Sequence, residues 1–172
     1  MVGHLRPGMR RQTTCRPEPF DPPGTDEGES MFRDILILFD NQEICPEALD
    51  YARGFALRMD ARVTFLMLVR MTFLGRAFLN AKRADLSRVE DSAARLLSHA
   101  SELFIQAGIE VGSACKVGEP AQELLKFLAV HPPFQAIIWG STPELPGKGH
   151  WIVRASVSME CPLISVSKKE RT

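Results

Sequence analysis

The first apolar run of the chain ends in an acidic side chain. Asp40 directly follows Ile35–Phe39, and Asn41 comes next. A carboxylate at the end of a buried parallel strand can accept a hydrogen bond from a ribose hydroxyl or an adenine amine, or it can coordinate a metal ion. A polar residue is also common where such a strand simply ends. Asp40 and Asn41 are therefore candidate ligand-binding residues, with a structural strand terminus as the alternative.

A second candidate site follows the fourth apolar run. This segment begins with Gly140 and Ser141 and ends with Gly147, Gly149 and His150. Glycine lets the backbone approach a phosphate, and the N–H groups at the start of a helix attract anions. The segment lacks the G-x-x-x-x-G-K-[ST] spacing of a Walker loop. The alternative is an ordinary strand–helix connection, and for His150 a helix cap is favoured over an anion contact.

No group of residues predicts an enzyme. The four cysteines and four histidines lack metal-ligand spacing, and the G-x-S-x-G motif of hydrolases is absent. A phosphoacceptor domain would need an Asp at the end of the third strand, where this chain has Lys116 and Val117. Cys45 precedes Pro46 at the start of a predicted helix, so the helix dipole predicts a lowered thiol pKa. No resolving cysteine or catalytic histidine can be assigned to Cys45, so a small buried side chain is favoured over a redox role.

Strands and helices alternate along the chain from Met31 onward. Short continuous apolar runs are typical of strands buried on both faces. They predict strands at Arg33–Asp40, Ala61–Val69, Ile109–Val117, Gln135–Gly140 and Pro162–Ser167. Apolar residues at i, i+3 and i+4 predict helices between the strands. One helix starts at Pro46, and the others cover Asp85–Ala107, Glu119–His131 and His150–Met159.

This alternation predicts an α/β fold with a doubly wound, parallel, five-stranded sheet and helices on both faces. The third strand is the most polar, so we expect it at an edge. Ligands of such sheets bind beyond the carboxyl ends of the strands, where the strand order reverses. If the first and fourth strands flank that point, Asp40 and Gly140 face each other across the crevice.

Length and charge limit the class of protein. A chain of 172 residues fits one domain, and its 21 basic and 21 acidic side chains argue against a surface for nucleic acid or anionic lipid. No apolar run approaches the roughly 20 residues of a membrane helix, and the first residues do not resemble a signal peptide. We expect a globular cytoplasmic protein with reduced thiols, without nucleic-acid or membrane partners.

Residues 1–30 differ in composition from the rest of the chain. They hold five prolines and four glycines and show no hydrophobic period. Such a segment cannot bury enough apolar surface to offset the entropy of ordering it. We therefore predict a disordered N-terminal extension at 1–30 and a folded domain at 31–172. We also hypothesise that Met31 is the true start, which mass spectrometry of the native protein would test.

Four short segments together resemble the universal stress protein family. They are Phe32–Ile37 with Asp40, Gly118-Glu119-Pro120 after the third strand, Gly140-Ser141 after the fourth, and the closing Cys161–Val166. In order and spacing they cover residues 31–168. The resemblance implies the adenine nucleotide alpha hydrolase-like fold, with strand order 3-2-1-4-5. It also implies a homodimer formed through the last strand, Pro162–Ser167, and a regulatory role in stress responses.

Many members of that family bind ATP or AMP, with magnesium as the accompanying ion. The resemblance implies that Asp40 and Asn41, the main chain near Leu68, and a glycine loop would hold the nucleotide. The family's loop reads G-x-x-G, nine residues, then G-[ST]. Here Gly140 matches the first glycine and Pro143 replaces the second. Gly149-His150 fits the end of the loop better than Ala155-Ser156, which would leave too short a helix.

Gly149-His150 as the loop end makes the loop shorter than the family's. Five residues separate Pro143 from Gly149 where the family has nine, so the loop is four residues shorter. Pro146 also lacks an N–H group. We therefore expect a non-enzymatic, dimeric regulatory module with a degenerate nucleotide loop and an unknown protein partner. The alternative is a sensor that binds ATP or AMP between strands 1 and 4. A third interpretation is an electron-transfer flavoprotein-like or other nucleotide-binding relative of the same fold.

Overall fold

A computed structural model describes residues 33–70 and 79–166 of the chain. Its strands are β1 (Arg33–Asp40), β2 (Ala61–Val69), β3 (Val111–Val117), β4 (Ala136–Trp139) and β5 (Leu163–Ile164). Its helices are α1 (Pro46–Met59), α2 (Leu79–Gln106), α3 (Pro120–Val130) and α4 (Trp151–Ser156). The predicted alternation of strands and helices is therefore confirmed.

The five strands form one parallel sheet with the order β3-β2-β1-β4-β5. β1 pairs with β2 on one side, with Asp40 opposite Leu68, and with β4 on the other, with Leu38 opposite Trp139. The order reverses between β1 and β4, as the resemblance to the family implies. β3 lies at an edge, which agrees with its polar composition.

Successive residues of β1 face opposite sides of the sheet, which explains why the whole strand is apolar. Ile35, Ile37 and Phe39 belong to a core that includes buried residues of α1 and α2. Leu36 and Leu38 belong to a second core that includes buried residues of α3 and α4. The sheet is thus covered on both faces, as in doubly wound folds.

The last helix and strand are shorter than predicted. α4 covers Trp151–Ser156 because His150 is its N-cap and because the N–H groups of Ser158 and Met159 bond three residues back, in turns. β5 has two paired residues, and Ser167 lies outside the described residues. The predicted extension at 1–30 also lies outside them.

Within 33–70 and 79–166, no helix combines the length and hydropathy that crossing a bilayer requires.

Candidate functional site

The candidate site lies at the carboxyl end of the sheet, where β1 and β4 separate. The Gly140 N–H donates to the Leu38 carbonyl at 2.8 Å, which holds the end of β4 beside the end of β1. The Cys45 N–H donates to the Gly140 carbonyl at 2.7 Å, which ties the start of α1 to the same point. Asp40 and Gly140 are therefore neighbours at the topological switch point, as the sequence predicts.

The two carboxylate oxygens of Asp40 have different surroundings. Oδ2 accepts a hydrogen bond from the indole N–H of Trp151 at 3.0 Å, and His150 Nε2 lies 3.3 Å from the same oxygen. Oδ1 is buried and has no hydrogen-bond partner among residues 33–70 and 79–166. The Asp40 side chain is only 13% exposed. The candidate ligand-binding carboxylate is thus engaged by the protein's own side chains.

His150 performs the capping role predicted for it and also contacts Asp40. Its Nδ1 accepts a hydrogen bond from the Ile152 N–H at 3.3 Å, so it is the N-cap of α4. Because Nδ1 is the acceptor, the ring proton of this neutral tautomer belongs on Nε2, which faces the Asp40 carboxylate. One imidazole therefore starts α4 and covers the candidate site.

Trp151 is a site residue that the sequence analysis missed. Its side chain is buried, and the indole rings of Trp151 and Trp139 lie 6.3 Å apart at an interplanar angle of 65°. The His150 ring lies 5.7 Å from each of the two indoles. Trp139 donates its own N–H to the Thr142 hydroxyl at 2.8 Å and does not use Asp40. The sequence does show an indole donor one residue after a candidate helix cap. Asp40 lies 111 residues earlier, so no local pattern links the two residues.

Ser141 and Asn41 hold the backbone around the site. The Ser141 hydroxyl accepts from the Asp40 N–H at 2.7 Å and donates to the Glu43 carbonyl at 3.0 Å. Asn41 adopts a left-handed backbone with φ of 48°, which asparagine tolerates well, and its side-chain oxygen accepts from the Arg70 N–H. These two predicted site residues therefore connect β1 to the loops beside it.

The remaining predicted residues divide into packed and open positions. The Leu68 side chain is fully buried, and its carbonyl accepts from the Asn41 N–H at 2.8 Å. A Cβ on Gly140 would lie 2.5 Å from Phe39 Cε1, so packing alone requires glycine there. Gly147 and Gly149 have open space where a Cβ would stand. Packing therefore requires glycine at Gly140 but not at Gly147 or Gly149.

The lowered thiol pKa expected for Cys45 is wrong, whereas the favoured interpretation, a small buried side chain, agrees with the structure. Cys45 is the N-cap of α1, but its side chain is buried, and burial raises the pKa of the thiol rather than lowering it. Its Sγ donates to Glu47 Oε2 at 3.2 Å, which also favours the protonated form. The loss of solvation therefore outweighs the helix dipole, and Cys45 has the environment of a structural thiol.

Two grooves of the described residues lie away from Asp40. One of about 600 Å³ lies between the end of α3 and the chain that leads into β5, and one of about 200 Å³ lies by the starts of β1 and β2. Both are at the amino ends of the strands.

Among residues 33–70 and 79–166, no group of three or more His, Cys, Asp or Glu side chains could hold a metal ion.

The hydrogen-bonding groups around Asp40 are already engaged with one another. The Ser141 hydroxyl accepts a hydrogen bond from the Asp40 N–H and donates its own proton to the Glu43 carbonyl, so backbone groups use both of its roles. His150 uses one nitrogen as a cap and turns the other toward Asp40. A nucleophile activated by an adjacent base is therefore not assembled here.

Comparison with solved structures gives the same fold. A universal stress family protein from Burkholderia pseudomallei is 20% identical, with a TM-score of 0.61, over 85% of this chain and 100% of that chain. The stress protein UspA from Lactobacillus plantarum is 18% identical, with a TM-score of 0.62, over 78% of this chain and 97% of that chain. A family protein from Arabidopsis thaliana, solved with AMP bound, is 13% identical, with a TM-score of 0.52, over 80% of this chain and 93% of that chain.

No curated protein sequence gives a significant match to the chain. The family model described as "Universal stress protein family" matches residues 31–159, which is most of the chain. The matched region contains β1 through α4 and every residue of the candidate site. The strand order and the helices on both faces agree with this match. The chain therefore belongs to the universal stress protein family.

Proposed function

We propose that this protein is a non-enzymatic regulatory module of the stress response that does not use ATP or AMP as a resident ligand. The observation that carries the proposal is the engagement of Asp40. Its Oδ2 is 3.0 Å from the Trp151 indole nitrogen and 3.3 Å from His150 Nε2, while its Oδ1 is buried. A nucleotide hydroxyl or amine would have to displace the donors on Oδ2 or reach the unpaired Oδ1, which is shielded from solvent.

The loop after β4 supports the same proposal. Pro143 and Pro146 have no N–H groups to offer, and the loop is shorter than the family pattern. Phosphate groups bind proteins through several converging backbone N–H groups and positive charges. A loop with fewer donors favours ligands without a triphosphate, or no nucleotide at all.

The alternative function is an ATP or AMP sensor in the crevice between β1 and β4. The structural neighbour from Arabidopsis thaliana that was solved with AMP bound supports this alternative. Asp40 also occupies the switch point where doubly wound folds bind ligands. Magnesium would then accompany a bound triphosphate, with the phosphates as its main ligands.

Calorimetric titration of the full chain with ATP and with AMP, each with magnesium, distinguishes the two functions. We expect no saturable heat at millimolar nucleotide. The contradictory result is a micromolar affinity that disappears in Asp40→Ala. Asp50→Ala is the matched control, since Asp50 is an exposed carboxylate of α1 whose side chain pairs with Arg53 on the surface.

We further propose that the module acts as a homodimer formed through β5. This strand is at the edge of the sheet and pairs with β4 on one side. Edge strands present unpaired backbone groups that a second strand can use.

The three described cysteines are free thiols, which supports a reducing compartment such as the cytoplasm.

A further inference from the structure

We infer that His150 and Trp151 are specificity-determining residues that act as an internal ligand for Asp40 and so exclude nucleotides from the crevice. The inference rests on the proposed function and deepens it, because it assigns the exclusion to two side chains. The shortened loop would then be a secondary cause. The two explanations differ in what a change at the start of α4 should do.

The hydrogen-bonding capacity of Asp40 is the first argument. A carboxylate that recognises a ribose or an adenine must present an oxygen to an outside donor. Trp151 donates to Oδ2, and the proton-bearing Nε2 of His150 faces the same atom. Oδ1 is shielded from solvent by the surrounding protein. A ligand that uses Oδ2 must therefore compete with His150 and Trp151 for that atom.

The rigidity of the two donors is the second argument. The His150 N–H donates to the Gly147 carbonyl at 2.9 Å, and His150 Nδ1 accepts from the Ile152 N–H. The first bond holds the backbone of His150, and the second holds its imidazole ring. Trp151 is 4% exposed and packs against Trp139, so its indole cannot turn away without opening the core. The donors are therefore held against Asp40 before any ligand arrives.

The chain permits substitutions that remove the donors and keep the local structure. Serine is a preferred N-cap residue, so His150→Ser removes the imidazole and can still accept from the Ile152 N–H. Trp151→Phe removes the indole N–H and keeps an aromatic ring in the core. Together the two changes leave both oxygens of Asp40 without a donor. Trp139→Phe is the matched control, because its indole N–H bonds to Thr142 instead.

The test compares adenosine and AMP affinity in the wild type, the double variant His150→Ser/Trp151→Phe, and Trp139→Phe, by calorimetry. We expect the double variant to bind at least one probe with a dissociation constant about tenfold or more below that of the wild type or, where the wild type gives no saturable heat, below the highest concentration titrated, a change of about 1.4 kcal/mol or more. Trp139→Phe should not differ from the wild type. Adding Asp40→Ala to the double variant should abolish the gain.

The outcomes separate this inference from the proposed function. Nucleotide binding by the wild type decides the proposed function, whereas the ratio of double variant to wild type decides the inference. A folded double variant with unchanged affinity overturns the inference and assigns the exclusion to the loop. Circular dichroism checks folding, and if the double variant unfolds, His150→Ser alone must bind more tightly than the wild type by about threefold; no gain there also overturns the inference.

Discussion

At the scale of single residues, the burial of Asp40 determines what the crevice can do. A buried carboxylate is costly unless donors satisfy it, and here two aromatic donors from α4 supply that satisfaction on one oxygen. The contacts of Trp151 and His150 with Oδ2 stabilise the fold, but they occupy the oxygen that a ligand would need. The same contact therefore has a structural role and a functional consequence.

Replacement of Asp40 by alanine should destabilise the protein by about 1–3 kcal/mol. The substitution leaves the buried indole N–H of Trp151 without its acceptor and removes the partner of His150. The free energy of unfolding in urea measures the effect. Asp50→Ala, which removes an exposed ion pair, should cost less than about 1 kcal/mol. Equal losses in the two variants would contradict the role given to Asp40.

Replacement of Gly140 by alanine should destabilise the fold by about 1–3 kcal/mol through overpacking. The added Cβ would lie 2.5 Å from one atom of the Phe39 ring and 2.7 Å from another, so the ring or the backbone must shift. Gly147→Ala is the control, because a Cβ there meets open space. Thermal unfolding of both variants measures the difference. A Gly140→Ala protein as stable as Gly147→Ala would show that Phe39 yields freely.

At the scale of elements, local patterns predict the first half of the sheet better than the last. The bounds of β1, α1 and β2 agree with the sequence, because long apolar runs and Pro46 mark them clearly. α4 is shorter than predicted, since the His150 cap and the turns after Ser156 depend on hydrogen bonds rather than on apolar spacing. The contact of Trp151 with Asp40 was not predictable, because no local pattern encodes it.

β5 is the element on which the proposed dimer depends. The Ile137 N–H donates to the Pro162 carbonyl, and Ile137 pairs with Leu163. Successive residues of a strand direct their N–H groups to opposite sides, so the Leu163 N–H points away from β4 toward the free edge. Leu163→Pro should therefore remove a donor from that edge and leave the bonds to β4 intact.

Light scattering after size exclusion measures the result. We expect a dimer for the wild type and for Leu163→Val, and a monomer for Leu163→Pro at the same concentration. A wild type that is monomeric at high concentration would reject the dimer altogether. A Leu163→Pro protein that remains dimeric would place the interface elsewhere on the molecule.

At the scale of the whole molecule, the parallel topology followed from the alternation of strands and helices, and the strand order followed from the resemblance to the family. The stability of the folded molecule should also depend on its buried and half-buried thiols. Burial raises the pKa of Cys45, Cys115 and Cys161 in the folded protein. The unfolded chain therefore loses its thiol protons at lower pH than the folded protein does. This contribution is complete below the ordinary thiol pKa of about 8.5 and is lost as pH rises through the folded values.

The urea midpoint should consequently fall between pH 7.5 and about pH 10, at fixed protein concentration. A variant with alanine at the three cysteines should show a smaller fall over the same range. Lysine and tyrosine titrate in both proteins, so the difference between the two curves isolates the thiols. Parallel curves would contradict the raised thiol pKa values.

The most direct test of the closed crevice is the nuclear magnetic resonance signal of the Trp151 indole N–H. The chain has two tryptophans, so the indole region should hold two cross-peaks, and Trp151→Phe identifies one of them. We predict that Asp40→Ala shifts the Trp151 peak and that millimolar ATP or AMP leaves it in place in the wild type. A saturable shift of this peak on addition of either nucleotide would contradict the account.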